Sequence, residues 1–302
     1  MMVSNRGSLF RLLQWQQEKV VWYATAAVVV WLAYSAHWVL GLPELFSVPL
    51  GPVAVLGGAI GIFASFRTNS AYDRWWEGRK LWGRLINTSR HHATQVLSWI
   101  DDREVAEALV RRQIAYVHTL RCLLRLQDPF ADFKVAAYLA PDEQASLPGR
   151  SNTTHALLHL SHGQFTRWAR ENGLEPQLLQ QLDESTRHLL DIQGGCERIK
   201  KTPLPRGYGF MVETLIRVFA VLLPVAIVSE LGVMMIPVSV TICLAFALIS
   251  EAGRVLEDPF DMYWNALPLF ALTRTIENDL LSRLGVDELE PLPTPDASGI
   301  LM

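Results

Sequence analysis

The sequence predicts an all-α membrane protein, with four transmembrane helices arranged as two hairpins that flank a cytoplasmic helical domain. Three observations point there. Half of the 302 residues are hydrophobic and the mean hydropathy is positive. That combination belongs to the membrane class, with enough charge left for a substantial water-exposed part. Long stretches almost free of charge come in two pairs, one before residue 67 and one after residue 206. No segment alternates apolar and polar residues as a half-buried strand would. The net charge of −3 lacks the basic excess of a nucleic-acid binder, so no nucleic acid is expected as a partner. Cys122, Cys196 and Cys243 are far apart, without a CxxC pair, and read as reduced thiols in the core.

Taken in order, residues 8–19 mix Leu9, Phe10, Leu12, Leu13 and Trp15 with Arg11 and Lys19, the pattern of a short helix on a membrane surface. Residues 20–42 contain no Asp, Glu, Lys or Arg and are long enough to span, a length that takes ~20 residues. The run exceeds the apolar core of a cleaved leader, so a retained span is expected. Pro43 and Glu44 mark a turn, and residues 45–66 make the second span, where Gly57 and Gly61 allow close helix approach. No proline separates Pro52 from Pro129, so one helix can continue past Arg67 into the soluble part.

Residues 67–206 read as a helical domain. Apolar positions recur at helical spacing from Val105 to Leu124, and Asp128-Pro129 breaks the run. Residues 132–140 form a brief helix, and Asp142, Pro148, Gly149 and Ser151 mark loops. Two more helices follow, one stopped by Gly173 and one, 176–193, stopped by Gly194-Gly195. The third and fourth spans are 211–228 and 231–249, with Ser229 and Glu230 at their turn. Glu213 and Arg217 stand one turn apart in the third span, where charges normally pair. Residues 269–284 form a last amphipathic helix, and 287–302 an extended acidic tail. The domains are therefore 1–66 (surface helix and first hairpin), 67–206 (helical domain), 207–254 (second hairpin) and 255–302 (C-terminal helix and tail). The basic residues fall on one side of this arrangement, which places both termini and the helical domain in the cytoplasm and the hairpins in the inner (plasma) membrane.

One face of the helix through residues 50–84 carries Ile62, Phe66, Asn69 or Ser70, Asp73 and Glu77 at steps of three or four. It is apolar in the membrane and polar beyond Arg67, as a pore wall would be. No Walker loop, GxGxxG or nucleophile triad is present, so no enzyme is expected.

The chain resembles the bestrophin family of ion channels, in a bacterial member. The residues that carry the likeness are FRTNSAYDRWWEGRKLWG at 66–83, GGCERIKKTPLPRGY at 194–208, EDPF at 257–260 and NALPL at 265–269. The resemblance implies a homopentamer around a central pore, embedded in membrane lipid and passing small inorganic ions passively. It places a hydrophobic neck at Phe66, Ile62 and Gly58, the last a departure from the bulky apolar residue usual there. Asn69, Ser70 and Asp73 fall just below, as polar lining of a cytoplasmic vestibule. The exit aperture falls on Gln177, where an apolar residue is common. Chloride conduction is ranked first on this likeness. A sodium-selective channel is the alternative, since five copies of Asp73 would favour cations. A non-conducting scaffold or receptor ranks below both.

Animal members of that family hold calcium in an acidic run after the Pro-Phe motif. Here only Asp261 and Asn265 follow it, with Glu257 and Asp258 before. A calcium ion takes roughly six to eight oxygens, so calcium is not expected. His155, His159 and His162 share a helix face and could bind zinc. No HExxH accompanies them, and an exposed vestibule wall is the simpler reading. No cofactor is expected.

Overall fold

The structure, a computed structural model, describes residues 1, 15–40, 48–297 and 299–301, apart from the side chains of Trp38 and Arg206. Its elements are α1 (Gln17–Leu40), α2 (Leu50–Trp99), α3 (Arg103–Leu124), α4 (Phe133–Ala137), α5 (Pro141–Ser146), α6 (Thr153–Asn172), α7 (Pro176–Lys201), α8 (Arg206–Leu231), α9 (Met235–Leu256) and α10 (Leu269–Arg283), with short 3-10 turns at Pro129–Ala131 and Gly232–Met234. There is no strand among the described residues. Most of the expected surface helix 8–19, and the turn at Pro43 and Glu44, lie outside them.

Two compact units share the chain. One is built from Asn5–Trp75 and Pro203–Asp258, the other chiefly from Trp76–Thr202 and Pro259–Met302. α2 gives its first part to the former and its remainder to the latter.

In the first unit α1, α8 and α9 pack against one another. Among the described residues, three helical stretches are long and apolar enough to cross a membrane: Gln17–His37, Leu50–Trp99, and Gly207–Leu256, which holds α8 and α9. Their shared core runs through Tyr23, Ala27, Val53, Ile60, Ala64, Ile216, Phe219 and Ala247. Gly57 explains how α2 reaches α8. A Cβ there would lie 3.1 Å from the Phe219 ring, which is itself edge-on to Phe246 at 5.6 Å. The turn between α8 and α9 comes later than the polar pair Ser229-Glu230, which stay helical. It falls at Gly232, whose φ of +52° only glycine adopts without cost.

In the second unit α3 is buried along most of its length. Asp102 caps it, its Oδ1 accepting from the N–H groups of Glu104 and Val105 at 3.0 and 3.2 Å. α3 packs against α6, α10, α4 and α7. Asp142 sits in α5 rather than a loop, because Pro141 at a first helical position starts a helix instead of breaking one.

Gly194 and Gly195 do not stop α7, which continues to Lys201. Glycine ends a helix where the chain turns left-handed, as Gly173 does at φ +67° after α6. Gly195 is instead a contact residue: a Cβ would come within 2.8 Å of Leu81.

The segment after α10 has no helix among its described residues, yet it is anchored. The Glu290 carboxylate meets Lys134 and Arg274, and its carbonyl accepts from Asn278 Nδ2 at 2.8 Å. Near the end, Leu301 N–H donates to the Met1 carbonyl at 2.9 Å.

Candidate functional site

An α-helix turns about 100° per residue, so positions two apart point almost oppositely. On α2, Val53, Ile60 and Ala64 are buried in the helical bundle. Ile62 and Phe66 therefore point away from it, 59% and 65% exposed. Gly58 is exposed on the same side, with nothing within 4 Å of where its Cβ would be. Asn69, Ser70 and Asp73 continue this exposed face. Within this chain the face thus runs uncovered from small, to bulky apolar, to polar.

The basic residues that interrupt the stripe do not share its direction. Arg67 donates from Nη1 to Ser250 Oγ at 3.2 Å, and its Nη2 lies 3.6 Å from the Glu257 carboxylate. Gly209 makes room for it, since a Cβ there would stand 3.0 Å from the guanidinium. Arg74 donates from Nε to the Glu257 carbonyl at 2.7 Å. Glu257 thereby gathers both arginines, and neither forms an ion pair with Asp73 among the described residues. A cavity of about 730 Å³ opens beside Phe66 and Ser70, with Phe63, Arg67, Tyr208 and Phe210 on its walls.

Gln177 is exposed in the first turn of α7, directly after Pro176. Asp261 Oδ1 accepts from the adjacent Met262 N–H at 2.7 Å, and Asn265 is partly buried. His155 and His159 are exposed on α6, while His162 Nδ1 faces Asp183 at 3.6 Å and its ring lies edge-on to Phe165. Among the described residues no group of three or more His, Cys, Asp and Glu converges as a metal ion would require. Glu213 and Arg217 do not close an ion pair within 4 Å; both face one cavity, shared with α1.

The most connected charges of the second unit had almost no local signature. Glu277, buried on α10, accepts from Tyr138 Oη at 2.6 Å and Lys134 Nζ at 3.0 Å, and lies 3.2 Å from His118 Nε2. Burial opposes its charge, but the bonds from His118, Tyr138 and Lys134 win and bring its pKa down to about 2. Burial lowers His118 and holds His92 down at about 4, the latter with help from neighbouring His91. It also raises the thiols of Cys122 to about 11 and Cys196 to about 12, which keeps both protonated and unreactive near neutrality. All three cysteines are free and buried. Among the described residues Arg274, 3.4 Å away and three residues earlier, is the one partner of Glu277 at helical spacing; His118, Lys134 and Tyr138 lie more than a hundred residues away in sequence, beyond any spacing rule.

A profile described as "Bacterial/Fungal Bestrophin protein" matches residues 1–282. An Escherichia coli K12 protein named voltage-dependent anion channel-forming protein YneE is 31% identical over 293 residues, covering 93% of this chain and 95% of the relative. A Mesorhizobium japonicum protein, also named a voltage-dependent anion channel-forming protein, is 32% identical over 299 residues, with 97% and 95% covered. The crystal structure of a bacterial bestrophin homologue from Klebsiella pneumoniae superposes with a TM-score of 0.83 at 28% identity, covering 89% of this chain and 98% of that one. The chain belongs to the bacterial/fungal bestrophin family.

Proposed function

We propose that the protein is a passive ion channel, assembled as a homopentamer in which the exposed face of α2 lines the pore. The observation that carries this reading is that uncovered face: Ile62 and Phe66 have no partner role inside their own bundle, and Asn69, Ser70 and Asp73 extend them in register. An apolar ring gates by dewetting, and a polar wall beyond it lets ions rehydrate. Gly58 would form the outer, wider end of the neck, and Gln177 the exit constriction. The four-span topology, with both termini cytoplasmic in a plasma membrane and the domains divided at 66, 206 and 254, supplies the direction. The pathway as proposed needs no metal or cofactor.

Anion conduction, chloride first, is the preferred selectivity, because the relatives of this chain carry anion-channel names. Cation selectivity is the second reading. It is favoured by Asp73, which is exposed while Arg67 and Arg74 are engaged with Glu257.

The test is recording from purified protein in planar bilayers under a salt gradient. We expect currents whose reversal potential lies toward the chloride equilibrium value. A reversal near the sodium value would select the second reading. Absence of conductance above bare bilayer, from verified pentamers, would leave only a scaffold. Phe66→Ala and Ile62→Ala should each raise conductance or abolish closure, and unchanged currents in both would move the neck elsewhere.

A further inference from the structure

A second site lies away from the exposed face of α2. An open cavity of about 500 Å³ lies among α1, α8 and α9, lined by Glu18, Lys19, Trp22, Glu213, Arg217 and Ser250 among others. On each helix it sits where charge gives way to an apolar run. Glu18 and Lys19 precede an uncharged stretch of α1, Arg217 precedes one in α8, and Ser250 ends one in α9. Such a level is the membrane–water interface, where Trp22 also belongs.

The charges lining it are balanced, two of each sign, and poorly paired. Glu18, Glu213 and Arg217 form no ion pair within 4 Å among the described residues, and Lys19 reaches Glu251 only at 3.7 Å. Glu251 is already held by Arg254, whose Nε donates to it at 2.8 Å. Ser250 is buried and accepts from Arg67, which leaves its own hydroxyl proton to donate. Glu18 and Arg217 are exposed and Lys19 and Glu213 half-buried, so all four are open to a ligand that supplies complements of both signs.

We propose that this cavity binds the headgroup of a zwitterionic phospholipid with a primary ammonium, of the phosphatidylethanolamine type. Lys19, Arg217 and Ser250 would hold the phosphate. Glu18 and Glu213 would accept hydrogen bonds from the ammonium, and the acyl chains would follow the apolar surface beside Trp22. A purely anionic headgroup leaves the two carboxylates unanswered and repelled. A quaternary ammonium cannot donate to them. The proposal stands whether or not the chain conducts.

The test is native mass spectrometry of the delipidated, detergent-purified protein offered equal amounts of phosphatidylethanolamine, phosphatidylglycerol and phosphatidylcholine, with melting temperature read in parallel. We expect phosphatidylethanolamine adducts to dominate by about tenfold and to raise the melting temperature, since charge-assisted bonds of that strength separate the lipids. Glu213→Gln should shift the preference toward phosphatidylglycerol, and Arg217→Gln should weaken binding of every phospholipid. The Glu213→Gln switch alone decides the case if Arg217→Gln does not fold. Soluble O-phosphoethanolamine should give no thermal shift. Equal retention of the three lipids, wild-type preference for phosphatidylglycerol or phosphatidylcholine, or a full shift with soluble O-phosphoethanolamine would each overturn the proposal.

Discussion

At the scale of single residues, Gly57 and Gly58 are neighbours with opposite consequences. Gly57 is pressed against the Phe219 ring, so Gly57→Leu should overpack the bundle and cost about 1–3 kcal/mol. A Cβ at Gly58 would meet nothing within 4 Å in this chain. Gly58→Leu should therefore raise helix stability by roughly 0.5–1 kcal/mol, since glycine is the poorer helix former. If the α2 face lines the pore, the same change adds a bulky ring to the neck and lowers conductance. A melting curve and a bilayer recording on one variant separate the two effects, and a stable variant with unaltered conductance would place Gly58 off the pathway. Asp73 offers a second residue-level check. Its carboxylate has no ion-pair partner within 4 Å among the described residues, so Asp73→Asn removes one charge per chain from the proposed vestibule without breaking an ion pair. Reversal potentials should move toward the anion value; no movement at low salt, where such charges act most strongly, would mean that ions pass out of its reach.

At the scale of elements, helix existence was easy to read and helix ends were not. The long uncharged runs, the 3.6-residue periodicity of α3 and the αL glycine after α6 all act within a few residues, where sequence patterning is direct. The misplaced ends have different causes. Asp142 follows a proline that starts a helix, and the turn after α8 waits for Gly232, the residue that takes a positive φ. In α7 tertiary packing overrode a turn signal, because Gly195 is small for the sake of Leu81, not for a turn. Gly194 meets nothing within 4 Å. Gly194→Ala should accordingly stabilise α7 by up to about 1 kcal/mol. Gly195→Val, which must displace buried Leu81, should destabilise by about 1–3 kcal/mol. Thermal denaturation of both variants checks this, and a Gly195→Val protein as stable as Gly194→Ala would remove the close-contact explanation for the second glycine.

At the scale of the whole molecule, the candidate pore face could be read from sequence because it lies on one helix. The charge network could not, since its members come together only through the fold: His118 on α3, Lys134 on α4, Glu277 on α10 and Glu290 beyond it. That burial has a pH signature. Glu277, held at about 2, contributes stability that is complete above its unfolded value near 4.5 and is lost as pH falls from there toward 2. The buried histidines act earlier. Folding keeps His92 neutral down to about 4, whereas an unfolded histidine takes a proton near 6.5, so the unfolded state gains protons first and stability falls as pH drops below 6.5. Between pH 7 and pH 5 that linkage costs about 2 kcal/mol for His92 alone, with His118 adding in the same direction. Glu277 stays ionised throughout that window in the folded state and adds little. His92→Leu removes the titration and also the Nδ1 that has no hydrogen-bond partner. The variant should therefore lose clearly less stability than wild type between pH 7 and pH 5, by about 2 kcal/mol in denaturant titrations of the detergent-solubilised protein. Parallel losses in the two proteins would show that His92 is not the group whose protonation unfolding draws in.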